Sequence, residues 1–256
     1  MTETVRTERD GAILIITIDR PQVRNAMNAE SARGLSDALD LMEADPSIFV
    51  GVLTGAGGFF SAGADLKAAA ASGGSSGATT ERGPMGICWQ PPAKPLIAAV
   101  EGGAFGGGFE IMLACDLIVA AVDARFGLPE VRHNLVATGG GLLRLPQRLP
   151  ANIAAEIALT GAPVGTELLH RHGLVNRVAA KGEALEGAMA LARTLLANGP
   201  TALAASAVIL RELAGRIDPA DWERQRELAR PALESEDRKE GARAFVEKRP
   251  TAWKGK

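Results

Sequence analysis

Short apolar runs separated by glycine and proline recur along the first half of the chain. Residues 12–19 (AILIITID) are bounded by Gly11 and Pro21 and are rich in β-branched side chains. That pattern predicts a buried strand. Residues 49–55 (FVGVLTG), 95–102 (PLIAAVEG) and 116–121 (DLIVAA) repeat it. Helical spacing falls between them: Asn28 stands where an N-cap belongs, and Leu35, Leu39 and Met42 follow on one face. Strands that are apolar on both faces and alternate with helices predict an α/β arrangement with a covered sheet.

Beyond about Pro150 the pattern changes. Residues 151–161, 182–199, 201–213 and 220–249 all show amphipathic helical spacing, and 174–179 (LVNRVA) is the one further strand expected. The apolar face of 201–213 (TALAASAVILREL) is of the kind that usually enters a core, though a neighbouring subunit or an acyl pocket could equally take it. The chain therefore divides into an α/β core over 1–195 and a helical region over 196–256. Residues 68–84 (AAAASGGSSGATTERGP) are small, polar and of low complexity. They predict a mobile surface loop, either a linker or a lid beside a site.

Composition narrows the function. With 28 basic and 30 acidic residues the net charge is −2, so no basic field for nucleic acid is implied. Cys88 and Cys115 lie far apart, as fits a reduced compartment. The polar start and the lack of a long apolar run predict a cytoplasmic protein without a membrane span. His170 and His172, two residues apart, fall on different sides of a helix, and with His133 they form no metal-binding pattern.

Candidate chemistry centres on residues 101–116, EGGAFGGGFEIMLACD. The dinucleotide fingerprint, the phosphate-binding loop and the Gly-x-Ser-x-Gly elbow are all missing, which disfavours an oxidoreductase or a hydrolase of those types. What remains is backbone amide and carboxylate. A helix is expected to begin near Gly107 or Gly108, with unpaired amides at its first turn and Glu110 beside them. Alone, that arrangement equally describes an ordinary helix start. A second glycine-containing loop, residues 55–67 (GAGGFFSAGADLK), follows its own strand in the same way. Two such loops could supply two amides to one oxyanion. In 126–135 (FGLPEVRHNL), Pro129 fixes the backbone just before Glu130.

Taken together, RPQVRNAMNAE (20–30), FFSAGADLK (59–67), EGGAFGGGFEIMLACDLIVAAVDARFGLPEV (101–131), LVNRV (174–178) and the closing FVEKRP (245–250) resemble the crotonase superfamily, the enoyl-CoA hydratases and isomerases. The likeness spans nearly the whole chain. It implies a crotonase-like fold of repeated ββα units in two roughly perpendicular sheets with a C-terminal helical region, assembled as trimers or hexamers. It implies an oxyanion hole from the amides of Ala64 and Gly107, and two catalytic glutamates, Glu110 as the water-activating base and Glu130 as the acid to the α carbon. Phe60, Ala62, Asp65, Leu66 and Lys67 are implied in CoA binding, with Lys67 at the CoA phosphate. No separate cofactor is needed, because CoA is part of the substrate. Isomerases of the family often lack the glutamate at the first position, so the pair favours hydration. After Glu130 the chain departs from many hydratases with VRHNLVATGGGLLRL (131–145), a stretch similar to carnitinyl-CoA dehydratase-like members. Arg132 and His133 there either face the acyl pocket or face solvent. The other readings are a double-bond isomerase and a catalytically silent CoA-thioester binder.

Overall fold

The apolar runs become neighbouring strands because each must bury both faces. The computed structural model describes residues 4–71, 78–213 and 217–254. In chain order the first elements are β1 (Val5–Asp10), β2 (Ile13–Ile18), α1 (Ala29–Ala44), β3 (Val50–Gly55), α2 (Leu66–Ala71), a small hairpin of β4 (Thr79–Thr80) and β5 (Gly83–Pro84), β6 (Leu96–Val100) and β7 (Gly103–Phe105). There follow α3 (Gly107–Ala114), β8 (Leu117–Ala121), β9 (Arg125–Gly127), a 3-10 turn at Pro129–His133, α4 (Gly141–Arg148), α5 (Ala151–Thr160), β10 (Val164–Gly165), α6 (Thr166–Arg171) and β11 (Arg177–Ala179). Helices α7 (Ala184–Leu196), α8 (Pro200–Leu213), α9 (Pro219–Glu234) and α10 (Glu236–Glu247) complete the chain.

One sheet runs in the order β1-β2-β3-β6-β8-β11 and a smaller one in the order β10-β9-β7. Strands β2, β3, β6, β8 and β11 are parallel to their neighbours, and only β1 is antiparallel. Side-chain alternation sorts the large sheet into two faces. Val50, Val52, Ile97, Ala99 and Val119 meet Ala188, Met189, Leu191 and Ala192 of α7. Leu53, Leu96, Ala98, Val100 and Ile118 enter the larger core with Leu35, Leu39 and Met42 of α1. The Asn28 cap is present: its side chain accepts from the Ser31 amide at 3.0 Å, and Ser31 Oγ accepts from the Asn28 amide at 2.8 Å.

Several elements depart from the sequence reading, each for a physical reason. Strand β1 is unexpected because its sequence, VRTERD, is polar and largely exposed at the sheet edge. The strand expected over 174–179 pairs only from Arg177. Before that, Asn176 Oδ1 accepts from the Ile118 amide at 2.7 Å, so a side chain replaces a backbone partner. The pattern over 220–249 divides at Ser235, whose hydroxyl accepts from the Arg238 amide at 3.1 Å and starts α10. Of the expected loop over 68–84, the described part is not all loop: it ends α2 and forms the β4–β5 hairpin, while 72–77 lie outside the described residues. The α8 face expected in the core keeps Ala207 buried but leaves Ile209 and Leu210 exposed by 54% and 66%.

The helical end nonetheless reaches the core. Arg211 of α8 pairs with Asp116 at 2.6 Å, Trp222 of α9 is buried in the larger core, and Gln225 donates to the Thr138 carbonyl at 2.8 Å. No described helix is long and apolar enough to cross a membrane. The N-cap provides a local check on this fold. Replacing Asn28 with Ala should destabilise the protein by about 1 kcal/mol. A lower denaturant midpoint with an unchanged m-value is the expected result.

Candidate active site

The site is built by two loops that run beside each other. From β7 the chain turns at Gly106, whose φ of 53° and ψ of −126° suit glycine, and α3 begins at the next residue. The loop after β3 lies alongside: Ser61 donates its amide to Gly103 O at 3.2 Å and accepts from the Phe105 amide at 3.0 Å. Asn25 clamps that loop from below, its side chain donating to the carbonyls of Ala56 and Phe59 at 2.9 and 2.5 Å. Gly108 is where the loops come closest. A methyl there would stand 2.3 Å from the Ser61 carbonyl oxygen.

The surrounding amides are engaged. Met27 donates to Gly63 O at 2.7 Å, Asp65 donates to Met27 O at 2.9 Å, and Gly106 donates to Gly127 O at 3.0 Å. Between them, the amides of Ala64 and Gly107 have no partner among the described residues. They are close neighbours, since a methyl on Gly63 would stand 2.8 Å from the Gly107 nitrogen. Two such unclaimed donors suit an oxygen that gains negative charge.

Two glutamates come in beside the same turn. Glu110 is only 3% exposed in α3, a helix buried on all sides. Its amide donates to Gly106 O at 3.0 Å, and its Oε1 accepts from the Gly141 amide at 2.9 Å. Burial raises its pKa, against the opposing pull of the Gly141 and Gly139 amides and of the Arg144 guanidinium. Glu130 arrives from the other side, on the 3-10 turn that Pro129 opens. A methyl on Gly106 would stand 3.0 Å from its Oε1, and its Oε2 is buried with no partner among the described residues. Burial first, and the charge of Glu110 second, push Glu130 up to about 8. The environments therefore separate the pair: two glycine amides and a cation favour the charge of Glu110, whereas Glu130 has only its own backbone amide to set against burial and its neighbour's charge.

The other expected site residues divide. Ala62, Leu66 and Lys67 lie on the same loop and the start of α2, with Lys67 exposed and in no ion pair among the described residues. Asp65 is used structurally. It pairs with Arg20 at 3.0 Å and accepts from the Ala68 amide at 3.1 Å. Burial opposes its charge, yet these partners hold its pKa below the usual carboxylate value. Phe60, expected in CoA binding, has its ring fully buried in the larger core, so it offers no side-chain surface to CoA. Arg132 is exposed, whereas the His133 ring sits edge-on to Phe245 at 5.2 Å with its Nδ1 buried and unpartnered among the described residues. His170 meets the Val175 carbonyl at 2.8 Å. A surface concavity of about 560 Å³, lined in part by Arg6, Thr54, Gly102 and Lys181, includes neither glutamate.

Sequence reasoning passed over the Gly139–Gly141 turn and Arg144 as parts of the site. Their signal was a second glycine triplet directly before a helix, the same pattern that marked Gly106 to Gly108. Its relation to Glu110 depends on a contact 31 positions away along the chain.

A sequence profile described as enoyl-CoA hydratase/isomerase matches residues 8–256. The chain is 40% identical over 269 aligned positions to carnitinyl-CoA dehydratase of Escherichia coli (strain K12), with both chains covered in full. It is similar to the crystal structure of carnitinyl-CoA hydratase from Mycobacterium avium, at 39% identity and a TM-score of 0.93 over the whole of both chains. It is also similar to that of enoyl-CoA hydratase from Mycobacterium tuberculosis H37Rv, at 49% identity and a TM-score of 0.80, covering 99% of this chain and 100% of that one.

Gly108→Ala tests the contact between the loops. Its new methyl has to push the Ser61 backbone away, and overpacking of this kind costs about 1–3 kcal/mol. A lowered melting temperature together with loss of thioester turnover is the expected outcome.

Proposed function

The chain belongs to the enoyl-CoA hydratase/isomerase family, and we propose that it is a hydro-lyase with the family's crotonase-like fold. The reaction is reversible addition of water to a 2-enoyl-CoA, giving the 3-hydroxyacyl-CoA. One observation carries this reading: the carboxyl groups of Glu110 and Glu130 lie near enough for the charge of one to raise the pKa of the other, and the Gly106 turn between their elements adjoins the unclaimed amides of Ala64 and Gly107.

Each part then has a task. The thioester oxygen takes its place between the two amides. Water attacks the β carbon while Glu110 takes one of its protons. The alkene electrons move toward the thioester oxygen, forming an enolate-like state that the amides stabilise, each well-placed donor contributing about 3 kcal/mol. Glu130 then delivers its proton to the α carbon. The base ends protonated and the acid ionised, and exchange with solvent resets them. A single carboxylate suffices to move a double bond, so the pair favours hydration over isomerisation. A silent CoA binder would have no use for two carboxyl groups buried at the same turn. Ala62, Leu66 and the exposed Lys67 would meet the CoA portion, with Lys67 at a phosphate.

A second reading keeps the chemistry and changes the acyl group. Relatives named carnitinyl-CoA dehydratase cover the whole chain, and a buried, unpartnered His133 Nδ1 lies on the same turn as Glu130. These favour a polar acyl chain, with water lost rather than added. Following the conjugated thioester absorbance with crotonyl-CoA, and with an enoyl-CoA bearing a cationic tail, separates the two. No absorbance change with either, in both directions, would rule out hydro-lyase chemistry on this substrate class. For assembly, the exposed Ile209, Leu210, Leu228 and Val246 fit contact with further copies of the chain. A trimer or hexamer in light scattering is the expected state, with residues 196–256 serving assembly and pocket closure.

Glu130→Gln should lower turnover by about 10²–10⁴-fold and leave CoA-thioester binding within a few-fold of the parent. The pH profile should be bell-shaped. Activity falls as pH rises through about 8, where Glu130 loses the proton it must donate. It falls again at low pH, where Glu110 becomes protonated and can no longer accept one.

A further inference from the structure

Arg144 of α4 is a half-buried cation with no carboxylate in ion-pairing distance among the described residues. Its Nη2 donates to the Cys88 carbonyl at 2.5 Å, and its guanidinium lies 5.7 Å from the centre of the Trp222 ring. Its Nη1 is buried and has no hydrogen-bond partner among the described residues. A methyl on Gly140 would stand 2.3 Å from that Nη1, so the guanidinium rests against the middle of the Gly139–Gly141 turn. Glu110 lies against the ends of the same turn: its Oε1 takes the Gly141 amide, and a methyl on Gly139 would stand 2.4 Å from its Oε2. One glycine turn thus separates the buried Nη1 of a guanidinium from a buried carboxyl.

We propose that Arg144 is a positioning residue for the reaction at Glu110. It braces the Gly139–Gly141 turn so that its amides meet that carboxyl, and its charge makes Glu110, rather than Glu130, the ionised member of the pair. The proposal rests on the reading of Glu110 as the base. Burying a guanidinium without a carboxylate partner is costly. An arginine serving the scaffold alone could be replaced by an apolar side chain against Trp222. The charge gains a use if it acts on Glu110.

The other groups facing Glu110 supply no positive charge. Its own helix carries no further titratable side chain, the 3-10 turn presents Glu130, and the segment before β6 presents Cys88. Arg148, the other half-buried cation of α4, points instead to the carbonyls of Leu113 and Cys115, each at 3.1 Å. Burial disfavours the charge on both groups, raising the pKa of Glu110 and lowering that of Arg144, and against that burial each favours the charged form of the other.

Two variants separate charge from packing. Arg144→Gln keeps a flat group over Trp222 and a donor for the Cys88 carbonyl but removes the charge. Arg144→Lys keeps the charge and loses the fork. Infrared titration of the Glu110 carboxyl in each, assigned by the band that Glu110→Gln removes, reads its ionisation without any substrate. The midpoint should move to higher pH in Arg144→Gln and stay near the parent's in Arg144→Lys. With whichever enoyl-CoA the parent hydrates, kcat/KM below the acid limb should fall about tenfold in Arg144→Gln, with KM little changed. A folded Arg144→Gln protein with an unmoved Glu110 midpoint overturns the proposal. So does failure of both variants to fold, which would assign Arg144 to the scaffold. If the midpoint moves but no enoyl-CoA is hydrated even by the parent, the proposed function fails while the electrostatic link stands.

Discussion

Two carboxyl groups buried within reach of one another cannot both hold a negative charge at low cost, and this constraint organises the molecule. Glu110 and Glu130 come from different elements, one from the first turn of a buried helix and one from a proline-opened turn. Apolar surroundings raise the pKa of both. The difference between them comes from what else is aimed at each. Amides of a glycine turn meet Glu110, while Glu130 has burial and its neighbour's charge against it and only its own backbone amide in its favour. Such an asymmetry is what lets two side chains of one type differ in how readily they hold a proton.

The glycines make this asymmetry possible. Gly106 turns the chain with a positive φ so that α3 can start beside the second loop, and Gly108 lets the Ser61 backbone come against the helix. These two features bring the Ala64 and Gly107 amides together. The parallel sheet beneath supplies the rigidity. Strands β3 and β6 are neighbours, buried on both faces; one loop follows β3, and the other follows β7, the short strand after β6. Donors mounted on packed strand ends need little reorganisation when charge develops in front of them.

The helical end closes the same region from outside. Trp222 of α9 lies under Arg144, Gln225 reaches the Thr138 carbonyl, and Gly241 of α10 packs on the His133 backbone. Each contact touches residues 131–145. The C-terminal helices therefore pack on the stretch that carries His133, Thr138 and Arg144.

Sequence alone determined what is local. Apolar β-branched runs gave four strands of the main sheet, Asn28 marked the start of α1, and the glycine cluster marked the start of α3. The motifs along the whole chain carried the family, because such spacing is written directly in residue order. What local pattern could not carry was proximity and facing. The polar edge strand β1 has no apolar alternation to reveal it, and the Phe60 ring turned into the core although its neighbours line the loop. Much of the apolar stripe on α8 lies exposed. Above all, Glu110 takes its hydrogen bond from Gly141 and feels the charge of Arg144, residues that only the packing of α4 onto α3 brings near. Periodicity reports which side chains share a face of one element. Which element that face meets is settled by long-range packing, and here that packing decides which glutamate can hold a charge.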